Sequence, residues 1–117
     1  MTQRNFIRVP FTECASIKQQ DQVFFGNIEN ISLQGMYIKT AQDLTVHSPV
    51  DVAVYFSPVS SFYLTADIVR RDPHGIGVQI KDIDIKSFVY LRDLVAKECN
   101  DHDLVLRETF KVTSCIH

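Results

Sequence analysis

From residue 11 onward the chain alternates short apolar runs with clusters of turn formers, and the runs are rich in β-branched and aromatic residues. Residues 12–18 alternate loosely and stop at the polar turn Gln19-Gln20-Asp21. Val23-Phe24-Phe25-Gly26-Asn27-Ile28 follows, and Gly35 opens Met36-Tyr37-Ile38-Lys39-Thr40. Val50 to Phe56 begins as an alternating run and becomes fully apolar before the Ser57-Pro58-Val59-Ser60-Ser61 turn. Residues 62–71 make a longer run, and Asp72-Pro73-His74-Gly75 turns the chain into Ile76-Gly77-Val78-Gln79-Ile80. Short runs of this composition at near-regular spacing predict an antiparallel sheet closed into a small barrel. Gly77, inside a predicted strand, marks a bulge or a place where something approaches the backbone closely.

The period changes at Asp84. Ile85, Phe88, Val89, Leu91, Arg92, Val95 and Ala96 lie on one side of a helical projection, with Lys86, Asp93, Lys97 and Glu98 opposite. That spacing predicts an amphipathic helix over residues 84–100 with Asp84 as its N-cap. The tail, residues 101–117, carries Leu104, Val105, Leu106, Phe110, Val112 and Ile116 at intervals that suit a helix or a strand equally. Residues 1–10 hold Arg4, Arg8 and Pro10 and read as an extended arm, because the residue before a proline is steered away from the α region. The chain therefore divides into an arm (1–10), a barrel (11–83), a helix (84–100) and an extension (101–117), all within one domain.

Composition narrows what such a domain can do. The 117 residues are 45% hydrophobic and 22% charged, which describes a globular protein with one core. A formal net charge of -2 provides no broad basic field, so nucleic acid is not an expected partner and an anionic ligand must be met by a few local cations. Cys14, Cys99 and Cys115 are far apart and odd in number, and they read as reduced thiols without a disulfide or zinc site. No apolar run approaches a membrane span or a signal peptide, so a cytoplasmic location is the default. His47, His74, His102 and His117 are dispersed without metal-ligand spacing, and no nucleophile–base pair stands out, so neither a metal, a cofactor nor catalysis is expected. Arg70 and Arg71 beside Asp72 suit the lining of the barrel mouth or a solvated strand end, and the strand end is the reading preferred.

Two short polar motifs carry the chemistry. Arg4-x-x-x-Arg8 supplies two guanidinium forks, which suit phosphate oxygens and the O6/N7 edge of guanine and also stack on flat rings. Asn30-x-Ser32-x-x-Gly35 is a polar turn, an amide and a hydroxyl followed by a residue without a side chain. Each string alone describes something ordinary. The arginines suit a solvated arm, and the second string suits a turn in which Asn30 and Ser32 serve nearby backbone groups and Gly35 supplies a positive φ. Together, in this order on a barrel, they describe a pocket for a guanine nucleotide bearing phosphates.

With these motifs the chain resembles the PilZ domains, bacterial receptors for cyclic di-GMP. In that family an Arg-x-x-x-Arg motif leads into the first strand of a six-stranded β-barrel, and a second motif reads Asp or Asn, any residue, Ser, any two residues, Gly. Arg4 and Arg8 match the first, Asn30, Ser32 and Gly35 the second, and the Gly75-Ile76-Gly77-Val78 strand is similar to a late barrel strand of the family. The resemblance spans residues 3–99. It implies a mainly β fold, a six-stranded antiparallel barrel of the split-barrel kind with a flexible N-terminal arm and a C-terminal helix.

It also implies a ligand, cyclic di-GMP, held by Arg4 and Arg8 at phosphate and guanine, by the Asn30 carbonyl and Ser32 hydroxyl, and approached by the backbone at Gly35. Asn30 stands where many members have Asp, which removes charge assistance from that bond. Gln3 lies where the family's neighbouring residue influences whether one ligand or a stacked pair binds. The function expected is a non-enzymatic sensor whose arm orders on ligand and signals to an unidentified effector protein in motility, exopolysaccharide or biofilm formation, or virulence. The alternative is an adaptor of the same fold that works by protein contacts without nucleotide. Oligomeric state, monomer or dimer, stays open.

Overall fold

The structure, a computed structural model, describes residues 6–117. Seven strands precede two helices: β1 (Val9–Pro10), β2 (Cys14–Gln19), β3 (Gln22–Ile31), β4 (Gly35–Lys39), β5 (Pro49–Ser57), β6 (Ser60–Asp72) and β7 (Gly75–Ile83), then α1 (Ile85–Glu98) and α2 (His102–Lys111). The antiparallel circuit β3-β2-β5-β6-β7-β4 closes because β4 also pairs with β3, which makes the expected six-stranded barrel. The short β1 is an addition outside the circuit, laid along the far end of β3.

Alternation explains the interior. Ala15 and Ile17, Met36 and Ile38, Val50, Val52 and Val54, and Leu64, Ala66 and Ile68 all point inward and are buried. β3 is long because it serves three neighbours. Its first half pairs with β2, its second half with β4, and Asn30 and Ile31 also face Pro10 and Val9 of β1. The described part of the arm is thus docked, with Val9 buried and Phe6 and Ile7 packed against the core.

α1 covers one end of the barrel with Phe88, Leu91 and Val95. Two details differ from the sequence reading. Asp84 occupies the N-cap position, but its side chain makes no capping bond, and only its backbone carbonyl accepts from Phe88 N–H at 2.9 Å. Ile85 is 62% exposed, so the apolar face is narrower than its spacing predicts. Ser87 is buried instead, its hydroxyl accepting the Tyr63 N–H at 3.1 Å and tying the helix to β6.

The tail, which suited helix and strand equally, is a helix that ends in one isolated β-bridge. Asp101 caps α2 by accepting from Leu104 N–H at 3.0 Å. A single 3-10 turn follows at Thr113–Cys115, and Ile116 then forms a parallel bridge with Ile83, flanked by two 3.0 Å bonds between His117 and the backbone of Ile83 and Ile85. The three cysteines form no disulfide. Among the described residues no helix is long and apolar enough to cross a membrane, and no cluster of metal-ligating side chains forms.

Candidate functional site

The outer surface where β1, β3, β4, β7 and β6 meet collects the polar chemistry. Cross-strand register lays out one row: Pro10 faces Asn30, Asn30 faces Tyr37, Tyr37 faces Gly77, and Gly77 faces Arg70. Two β-bulges create it. The ladder slips at Glu29 between Ile28 and Asn30, and again at Val69 between Ile68 and Arg70. Ile28 and Ile68 point into the core, so strict alternation would also turn Asn30 and Arg70 inward. One extra residue in each strand reverses that, and both side chains emerge on the same outer face.

The two motifs meet here. Arg8, one residue before β1, donates from Nη1 to Asn30 Oδ1 at 2.7 Å. Arg4 lies outside the described residues. Ser32 and Gly35 close on each other in the β3–β4 turn. The fully buried Ser32 hydroxyl accepts from the N–H groups of Gln34 and Gly35, both at 3.1 Å, and donates to the Gly35 carbonyl at 3.3 Å. The Ser32 N–H donates to the same carbonyl at 2.8 Å.

Gly35 has no positive φ, so the turn does not need it for that reason. A Cβ at this position would lie 2.0 Å from the Val78 carbonyl oxygen, and the glycine instead lets β7 close against β4. In this structure Ser32 and Gly35 shape the support, whereas Arg8 and Asn30 form the presented surface.

An open groove of about 550 Å³ lies beside Asn30, lined by Glu29, Tyr37, Lys39, Arg70, Asp72 and His74. The Arg70 guanidinium sits over the Tyr37 ring, 5.6 Å from its centroid, and its side chain crosses the bare backbone of Gly77. What approaches Gly77 is therefore this arginine. The Tyr37 hydroxyl donates to Asp72 Oδ1 at 2.7 Å and lies 3.0 Å from Oδ2, while Asp72 Oδ1 also accepts from the N–H groups of His74 and Gly75 at 2.8 and 3.0 Å. Loss of solvent, then the bond to Asp72 and the charge it carries, push the Tyr37 hydroxyl up to about 12. The same bond, with the His74 amide next among the stabilising contacts, holds the Asp72 carboxyl below its ordinary value.

The arginine pair that read as one solvated strand end is split. Arg70 joins the groove, whereas Arg71 pairs with Asp43 and donates to the Leu44 carbonyl at 3.0 Å. Sequence reasoning missed Tyr37 and set Arg70 aside, because only the register places them beside Asn30. Gly77 was the signal that could have led to them. The assembled surface offers a fork at Arg8, a second guanidinium over the Tyr37 ring at Arg70, an ammonium at Lys39 and an amide between them. That set suits an anion carrying a planar ring.

Comparison with known proteins agrees with the barrel fold. A family model described as PilZ domain matches residues 2–97. Among solved structures, the chain is similar to the PilZ domain of CeSA from a cellulose-synthesizing bacterium, with TM-score 0.62 and 18% identity over 78% of this chain and 96% of that one. It is similar to the inhibitor of motility MotI/DgrA of Bacillus subtilis, with TM-score 0.67 and 15% identity over 87% of this chain and 54% of that one. The PilZ domain of Escherichia coli YcgR, solved with c-di-GMP, superposes with TM-score 0.68 and 12% identity over 83% of this chain and 92% of that one. No curated protein matches the chain in sequence.

Proposed function

The chain belongs to the PilZ domain family, and on that premise we propose that it is a non-catalytic receptor for cyclic di-GMP which passes ligand occupancy to a partner protein. The observation that carries this reading is the 2.7 Å bond from Arg8 to Asn30, which joins the two motifs at the edge of the groove. Cyclic di-GMP asks one surface for charge neutralisation at two phosphates, for donors to a guanine edge and for a flat stacking partner. Arg8 supplies the first two and Arg4 adds to them, Asn30 fixes the guanine, and Arg70 on Tyr37 offers the stacking plane. Ser32 and Gly35 act on the ligand indirectly, by holding the turn that presents Asn30. The c-di-GMP-bound YcgR domain, which shares the fold, supports this choice of ligand.

In this reading the ligand draws the arm further onto the barrel, and the partner recognises the altered surface. Because the messenger is made inside the cell, the receptor acts in the cytoplasm. Phe6, Ile7 and Val9 already pack on the core, so closure has only part of the ordering cost still to meet. Isothermal calorimetry with cyclic di-GMP tests the reading. The intact chain is expected to bind, and Arg8→Ala to bind about tenfold to a hundredfold more weakly, the loss that accompanies a charge-assisted bond. An intact, folded chain that shows no binding at high micromolar ligand refutes the receptor reading and leaves the adaptor alternative.

A further inference from the structure

α2 lies beyond the residues matched by the family, and its buried stripe is interrupted by a charge. Val105 and Val112 are buried as expected, but the residue between them on the same stripe is Glu108, only 1% exposed. A carboxylate there opposes folding unless it is well bonded. Glu108 Oε2 accepts the Ile7 N–H at 2.8 Å, and Oε1 has no hydrogen-bond partner among the described residues. The barrel is not what this carboxylate serves. Its hydrogen bond goes to the arm, at the residue immediately before Arg8.

The arm is gripped a second time one residue earlier. The Phe6 ring lies 5.9 Å from Lys111 Nζ of the same helix and lines a cavity of about 260 Å³ with Leu33, Phe88 and Val112. Backbone at Ile7 and ring at Phe6 are thereby fixed by α2, while Arg8 reaches Asn30 from the adjoining residue.

We propose that Glu108 is a positioning residue for ligand binding: it anchors the arm backbone so that the Arg8 guanidinium is held ready over Asn30. The inference rests on the receptor reading for its ligand. It makes α2 part of the binding machinery, and it accounts for a half-bonded carboxylate in a core position where an apolar residue would pack better.

The test compares the parent chain with Glu108→Met, which keeps the volume and removes the acceptor, and Glu108→Gln, which keeps an acceptor oxygen. Three quantities are read: thermal midpoint, hydrogen exchange at the Ile7 amide, and affinity for cyclic di-GMP. Glu108→Met is expected to melt at or above the parent temperature, to exchange Ile7 faster, and to bind cyclic di-GMP about tenfold more weakly. Glu108→Gln should stay near the parent in both exchange and affinity. A methionine variant with parental affinity or parental Ile7 exchange overturns the proposal. So does one that melts well below the parent, since Glu108 would then be a residue of the fold. A parent chain that takes up no cyclic di-GMP overturns the receptor reading instead, and the Ile7 comparison, which needs no ligand, still decides whether Glu108 holds the arm.

Discussion

Replacing Gly35 by alanine separates two explanations of this motif residue. If the glycine serves only to let a ligand approach, alanine weakens binding and leaves stability untouched. The geometry says otherwise. The new Cβ would sit 2.0 Å from the Val78 carbonyl oxygen, with Val78 C at 3.1 Å and Gln79 Cα at 3.2 Å. All three are backbone atoms, so no side chain can swing away. Relief requires β4 and β7 to separate by more than about 1 Å, since non-bonded atoms rest at about 3.5 Å.

That movement strains the Gly35–Gln79 register pair and the 2.7 Å bond from Ile80 N–H to the Gln34 carbonyl. Overpacking of this kind costs about 1–3 kcal/mol, and a weakened backbone bond adds about 1 kcal/mol, so the expected loss is about 2–4 kcal/mol. For a domain of this size the thermal midpoint should fall by about 10 °C. Far-ultraviolet circular dichroism, with no nucleotide added, reads the free-energy loss from guanidinium denaturation and the midpoint from a thermal melt. An alanine variant with the parental midpoint refutes the argument, and a purely ligand-facing role for Gly35 would then stand.

Three further outcomes follow from the same geometry. Ser32→Ala leaves the Gln34 and Gly35 amides without their hydroxyl acceptor and should destabilise by about 1–3 kcal/mol in the same denaturation assay. Tyr37 should ionise at about 12 in an absorbance titration, and Asp72→Asn should bring that value part of the way down, because the desolvation remains. The fold favours the neutral tyrosine, so its contribution is complete below pH 10 and is lost as pH rises through about 12; that of Asp72, whose value is lowered, is lost instead as pH falls into the acid range. Asn30→Asp turns the charge-assisted Arg8 contact into an ion pair and should tighten cyclic di-GMP binding by about threefold or more, with the gain shrinking as salt is raised, in calorimetry at two ionic strengths.

The barrel was legible because Ala15, Ile17, Val50, Val52, Leu64 and Ala66 alternate with polar or less buried neighbours, and α1 because Phe88, Leu91 and Val95 keep the helical period. Motif order put Arg8 and Asn30 at one pocket, but the direct bond between them was not foreseen. Gly35 was read as a turn or ligand-facing residue because its real neighbour, Val78, is far away in sequence. Arg70 escaped for a related reason: whether it points in or out depends on the slip at Val69, and a bulge leaves no mark in a pattern of period two. The tail resisted assignment because Glu108 occupies the place in the stripe where an apolar residue would have declared a helix.

The seam between β4 and β7 also sets an order of events as the chain folds. The β2–β3, β3–β4, β5–β6 and β6–β7 pairs are hairpins between consecutive strands, whose small loops close at little entropic cost. Joining Gly35 to Gln79 encloses more than a third of the chain, and such a contact is rewarded only after that loop has been closed. The turn carrying Asn30, Ser32 and Gly35 can therefore form early as a local hairpin, yet it gains its backing only when the barrel shuts. A nucleotide that recognises the shut form adds nothing to the speed of folding and acts on the rate at which the barrel reopens.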